Sequence, residues 1–265
     1  MNLKNLYPSN RLLKNANKSY SSISENLNYN FSKNYCLSIY AIDAIYSFIP
    51  KNACSSIRFS VAVANGFLSD FNDIDWIHNN NTTFISTARE ICRAKYTFVI
   101  LRCPFRRLIS TFFNKFVDKE FQLNDETGKP LDISFNDFVY EINSQNKESM
   151  NEHWRPQSDF LHYEVYDDYF CLENFTYAIN RLSEKGLNVI DTRKYLKHDK
   201  SGFSTIEGDF SSKPISELQK LKKNKNFPKE EKFYTKETYK IVSKIYEEDI
   251  ELYIQKFGDK NILKV

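Results

Sequence analysis

From Tyr96 to Leu101 the chain reads Tyr-Thr-Phe-Val-Ile-Leu, with no charge and no apolar–polar alternation. Such a run describes a strand buried on both faces, as in a parallel sheet. It stops abruptly at Arg102-Cys103-Pro104, and Pro104 falls where the first turn of a helix tolerates proline. Phe105, Leu108, Ile109, Phe112 and Phe116 then give the next segment one apolar stripe at helical spacing. A similar unit precedes it. Residues 44–49 form a short apolar run, and Ile57, Val61 and Ala64 place a helix over 55–65. Strand, helix, strand, helix in that order predicts an α/β fold with a parallel sheet.

Further along, periodicity predicts helices over 83–93, 135–142, 175–184 and 235–257, with Gly186 just past the end of the third of these. Residues 163–172 and 187–191 are candidate strands. Residues 1–34 show few apolar positions at any period and are expected to be a flexible leader before a single domain over 35–265. The stretch 198–232 is polar, and its lysine run over 220–232 is read as a solvated face, with attraction of an acidic glycan as the alternative. No internal repeat is visible.

Composition bounds the function. Lys and Arg number 37 against 34 Asp and Glu, a net charge of +3, which argues against a general nucleic-acid binder. The five cysteines form no CxxC pair and no Cys/His metal pattern, so free thiols in a reducing compartment are expected. The polar N-terminus has no apolar signal region, and no apolar stretch approaches the roughly 20 residues that span a bilayer. A cytoplasmic location is therefore expected.

The two strand-to-helix turns carry the chemistry. In 50–56, Pro-Lys-Asn-Ala-Cys-Ser-Ser, Lys51 supplies a point charge. Asn52, Ala53, Cys54, Ser55 and Ser56 supply backbone N–H groups at a helix start, and the two serines add hydroxyls. The competing reading for this loop alone is a serine helix cap beside a solvated lysine. In the second turn, Arg102 follows the buried strand and Ser110 lies two helical turns on, so a guanidinium fork and a hydroxyl are offered to one phosphate. Two separate anion-binding turns suit a nucleotide phosphorylated at both ends, and the donor 3′-phosphoadenosine 5′-phosphosulfate fits best.

Pro-Lys-Asn-Ala-Cys-Ser-Ser-Ile-Arg at 50–58 resembles the 5′-phosphosulfate loop of the Golgi-type carbohydrate sulfotransferases and their bacterial relatives, the sulfotransferase family 2 group. The segment 102–116 resembles their 3′-phosphate motif: Arg102, Pro104, Arg107, Leu108, Ser110, Lys115 and Phe116 all match. Cys103 replaces the usual acidic or amide residue, a change expected to touch helix capping. Glu152-His153-Trp154-Arg155-Pro156-Gln157 is similar to the family's HWxPQ block. Tyr166-Asp167 with Glu173 is similar to a further block, in which Phe170 and Cys171 replace a Gly-Lys pair.

The resemblance implies a P-loop-like three-layer fold, with a central mostly parallel sheet flanked by helices. It also implies sulfuryl transfer from 3′-phosphoadenosine 5′-phosphosulfate to a hydroxyl of a carbohydrate or glycolipid acceptor. Lys51 is the cation expected at the bridging oxygen. His153 is the leading acceptor base, with Glu152, Glu173 and His162 as other candidates and a packing role for His153 as the alternative. An NTP-dependent kinase and a non-catalytic nucleotide-binding module remain competing readings.

Overall fold

The computed structural model describes residues 11–18, 22–118, 121, 123, 124, 126–194 and 202–265. In chain order, the first elements are α1 (Leu27–Lys33), β1 (Cys36–Ile39), β2 (Ala44–Ser47), α2 (Cys54–Ala64), α3 (Trp76–Asn79), α4 (Ala88–Arg93) and β3 (Tyr96–Leu101). They are followed by α5 (Pro104–Phe112), α6 (Phe135–Ser144), β4 (Asp168–Cys171) and α7 (Phe175–Glu184). The last are β5 (Ser204–Ile206), α8 (Ile215–Lys223), β6 (Asn226–Pro228), α9 (Lys236–Ile245) and α10 (Glu247–Phe257). The chain divides into two compact units. One holds 1–101 and 157–196, the other 102–156 and 197–265.

The first unit is built on a sheet of order β1-β2-β3-β4. β1 runs antiparallel to β2, whereas β2–β3 and β3–β4 are parallel, with Ser47 opposite Val99 and Phe98 opposite Asp168. All six residues of β3 are buried, as an uninterrupted apolar run requires. On one face, Tyr46, Phe98, Ile100 and Phe170 pack with Ile57, Phe59 and Val61 of α2 and Ala178 and Leu182 of α7. On the other face, Tyr166 donates its hydroxyl to Ser47 Oγ at 2.7 Å, and Ser32 of α1 meets His162. Helices and sheet thus make the mostly parallel three-layer α/β arrangement of a P-loop-like fold.

Three expectations change here. β1 was not foreseen. Only the apolar run over 44–49 reads as a strand in this part of the chain, but just before it Asp43 takes a left-handed conformation (φ 50°) after a single 3₁₀ turn and reverses the chain. Conversely, 187–191 adopts no ladder pairing, and the Ile190 N–H donates instead to Ser60 Oγ of α2 at 2.8 Å. The described part of the expected leader is folded onto the unit: Arg11 pairs with Asp167 at 2.7 Å, Leu13 bridges Tyr163, and α1 buries Tyr29 and Ser32.

The second unit is organised by α5, which passes into a π-helical turn over Phe113–Val117. Phe112 stacks on Phe138 of α6 at 5.5 Å between centroids, and Phe138 meets Trp154 edge-on at 5.7 Å. β5 and β6 form a short parallel pair, and the last turn of α8 carries Lys220, Lys222 and Lys223, the start of the lysine run. The expected helix over 235–257 is interrupted at Tyr246 (φ −111°, ψ 28°), which separates α9 from α10. Among the described residues, no helix is long and apolar enough to cross a membrane.

Candidate active site

The loop after β2 is held in an unusual backbone. Lys51 (φ 73°) and Ala53 (φ 56°) both sit in the left-handed region, at roughly 1 kcal/mol or more each for a residue with a Cβ. Asn52 between them is wholly buried, and its side chain fixes the strained loop. Its Nδ2 donates to the Ile100 carbonyl at the end of β3 at 2.8 Å and to Gln157 Oε1 at 2.6 Å. Its backbone N–H donates to the Ile49 carbonyl at 3.2 Å. The Asn52 N–H is therefore turned into the loop, and the amide side chain acts as its anchor.

α2 starts from this loop with Ala53 at the N-cap, and no side chain closes the cap. No acidic residue lies in its first turn. The N–H groups of a first turn lack intrahelical acceptors and form the positive pole of the helix. Cys54 and Ser55 are half-buried there, and neither serine serves as the cap. Ser56 is buried, and its Oγ lies 3.0 Å from Thr192 Oγ1 while accepting from the Thr192 N–H at 3.1 Å. That hydroxyl ties α2 to the segment after α7. Arg58 is also structural: it bonds the Ile77 carbonyl and Asn81, with its guanidinium over Phe48.

In the second unit, α5 likewise starts without a side-chain cap. Cys103 occupies the cap position, but its buried Sγ accepts from the Leu263 N–H at 3.4 Å. The replacement expected to touch capping thus serves packing of the chain's end. Arg102 and Ser110 are both half-buried. Arg106 pairs with Glu230.

Arg107 is 2% exposed, and it organises the loop that carries His153. Its Nη1 donates to the Arg155 carbonyl at 2.8 Å and its Nη2 to the Glu152 carbonyl at 3.2 Å. One helical turn on, Thr111 Oγ1 donates to the His153 carbonyl at 2.9 Å. Tyr246, at the break between α9 and α10, donates its hydroxyl to the Trp154 carbonyl. Four successive carbonyls are therefore held by side chains.

His153 itself lies with Nδ1 2.7 Å from Asn151 Oδ1 and 3.9 Å from Glu152 Oε1. Glu152 is the more exposed of the adjacent pair, at 44% against 19%. Glu173 belongs to the first unit, where Cys171 donates its thiol to Glu173 Oε2 at 3.1 Å. His162 is buried against α1 with Nδ1 2.8 Å from Ser32 Oγ. Burial, then the nearby Lys33, pushes its pKa down to about 4, so it stays neutral near pH 7. All five cysteines are free thiols.

Arg107 and Gln157 stood in the sequence only as members of matched blocks, and Thr111 and Asn151 received no role there. The i, i+4 spacing of Arg107 and Thr111 was a usable signal that the two face one target. Nothing local pointed to Asn151.

The sulfotransferase family model matches residues 42–254 and spans the loop at 50–56, the turn at 102–110 and the His153 segment. The chain belongs to the sulfotransferase family. Among curated proteins it is similar to carbohydrate sulfotransferase 14 of Mus musculus, 27% identical over 156 residues, 49% of this chain and 41% of the relative. The Danio rerio protein of the same name is 26% identical over 166 residues, 52% of this chain and 45% of the relative. The Homo sapiens protein is 27% identical over 156 residues, again 49% of this chain and 41% of the relative. The matched part thus spans less than half the length of these relatives. No solved structure matches the chain.

Proposed function

We propose that this protein moves a sulfuryl group from 3′-phosphoadenosine 5′-phosphosulfate to a hydroxyl of a carbohydrate or glycan-containing acceptor. The observation that carries the reading is the start of α2: a positive helix pole without a side-chain cap or first-turn acid, preceded by Lys51 in a strained turn. This is the donor set that a phosphosulfate needs, namely backbone N–H groups and one compact cation. The names of the similar carbohydrate sulfotransferases support a sugar hydroxyl as acceptor.

In this reading the N–H group of Ala53 at the N-cap and those of Cys54, Ser55 and Ser56 in the first turn, with the Ser55 hydroxyl, bind the 5′-phosphosulfate. Arg102 and Ser110 bind the 3′-phosphate. Lys51 stabilises the charge that develops on the bridging oxygen. His153 removes the acceptor proton as the acceptor oxygen bonds to sulfur. The sulfur–oxygen bond to the leaving phosphate breaks at the same centre, and its electron pair stays on that phosphate.

A nucleotide-triphosphate kinase is less well supported, because residues 50–56 contain no Gly-Lys phosphate loop. Calorimetry separates the readings. Adenosine 3′,5′-bisphosphate should bind at least about tenfold more tightly than adenosine 5′-monophosphate, a gap of about 1.4 kcal/mol. Equal affinity for the two nucleotides would overturn the assignment of Arg102 and Ser110.

A further inference from the structure

We propose that Asn151 is a positioning residue that locks His153 in its Nδ1–H tautomer, so that Nε2 carries the lone pair offered to the acceptor hydroxyl. The inference rests on the reading of His153 as the base.

The argument needs only donor and acceptor identities. The backbone N–H of His153 can donate but not accept, and it lies 3.0 Å from Asn151 Oδ1. That contact fixes which end of the Asn151 amide faces the histidine: it must be the oxygen. The same oxygen is 2.7 Å from His153 Nδ1. A carbonyl oxygen has no proton to give, so Nδ1 carries the hydrogen. A neutral imidazole has one N–H, and its other nitrogen, Nε2, is then unprotonated.

Glu152 does not set this tautomer. Its Oε1 is 3.9 Å from Nδ1, beyond hydrogen-bond reach. The backbone that carries the ring is fixed on both sides. The carbonyls of Glu152, His153, Trp154 and Arg155 are held by Arg107, Thr111 and Tyr246. The Trp154 and Arg155 N–H groups donate to the Asn151 carbonyl at 3.1 and 2.9 Å. Asn151 thus binds the loop through its backbone and the imidazole through its side chain. A histidine side chain in water favours the opposite tautomer, with hydrogen on Nε2, so removal of the amide oxygen should be visible directly.

The test is ring-nitrogen NMR of the ¹⁵N-labelled full chain at a pH where the imidazole is neutral, with His153 assigned by the signals lost in His153→Gln. The wild type should show protonated Nδ1 and unprotonated Nε2. Asn151→Ala should shift the ring towards Nε2–H, whereas Asn151→Asp, which keeps an acceptor oxygen, should retain Nδ1–H. In transfer assays Asn151→Ala should lower kcat by at least about tenfold with bisphosphate affinity unchanged, and Asn151→Asp should restore most of the loss. A wild-type His153 protonated on Nε2, or a tautomer unmoved in Asn151→Ala, would overturn the proposal. The wild-type spectrum decides even where the alanine variant does not fold. Wild-type turnover by His153→Gln would instead overturn the assignment of His153 as base, while the tautomer assignment stands on the spectrum.

Discussion

Lys51 and Ala53 show how much the site depends on single dihedral angles. Both hold positive φ without being glycine, and both conformations are kept by the buried amide of Asn52. Backbone strain and side-chain charge are therefore separable at Lys51. Lys51→Gly relieves the strain but removes the cation. We predict stability within about 1 kcal/mol of wild type, with sulfuryl transfer reduced by about 10²–10³-fold, measured by chemical denaturation and kcat on the same preparation. Comparable transfer by the glycine variant would remove Lys51 from the chemistry. Asn52→Ala should be far more damaging to the fold, because it leaves the Ile100 carbonyl and Gln157 without their donor. About 2 kcal/mol or more should be lost, visible as a lower denaturation midpoint. Residue identities at 50–56 were legible in the sequence, but their orientations were not. Ser56 turns to Thr192 and Asn52 to Gln157, partners that lie 136 and 105 positions along the chain.

At the scale of elements, α5 does more than start with a cationic turn. Its inner face holds the His153 loop through Arg107 and Thr111. Thr111→Val keeps the shape and removes a hydroxyl shared between the His153 carbonyl and the Arg107 carbonyl of its own helix, and should cost about 1 kcal/mol of stability. Arg107→Ala leaves two carbonyls without a donor in a buried site and should cost about 2–4 kcal/mol. If the strap serves the chemistry, kcat should fall in Thr111→Val while bisphosphate affinity holds; an unchanged kcat would reduce the strap to a packing role. β3, α2 and α7 were legible because strong periodicity and their end signals agreed, as with Gly186 (φ 93°) just after α7. β1 was hidden because a left-handed aspartate, not a glycine, turns the chain. The break at Tyr246 was hidden because its hydroxyl bonds the Trp154 carbonyl, a tertiary contact that overrides an unbroken apolar stripe.

For the whole molecule, His162 links stability to pH. It is 1% exposed and its folded pKa is lowered from 6.5 to about 4, by burial first and then by Lys33. Between those values the unfolded chain binds the proton more readily, so stability falls as pH falls. The contribution is fully present above about pH 6.5 and lost on approach to pH 4, on the order of 3 kcal/mol in all. His162→Gln should flatten that limb of the stability profile, and an identical acid limb in the variant would place the sensitivity elsewhere.

The central claim concerns what the folded chain transfers. Its most direct test is incubation with 3′-phosphoadenosine 5′-phosphosulfate carrying labelled sulfur and a panel of carbohydrate acceptors, followed by separation of nucleotide from sugar. The account predicts label on a sugar hydroxyl with stoichiometric adenosine 3′,5′-bisphosphate, and a loss of about 10²–10³-fold in Lys51→Ala. Label that stays on the nucleotide across the panel, with labelled γ-phosphate from ATP reaching the same sugars instead, would contradict it.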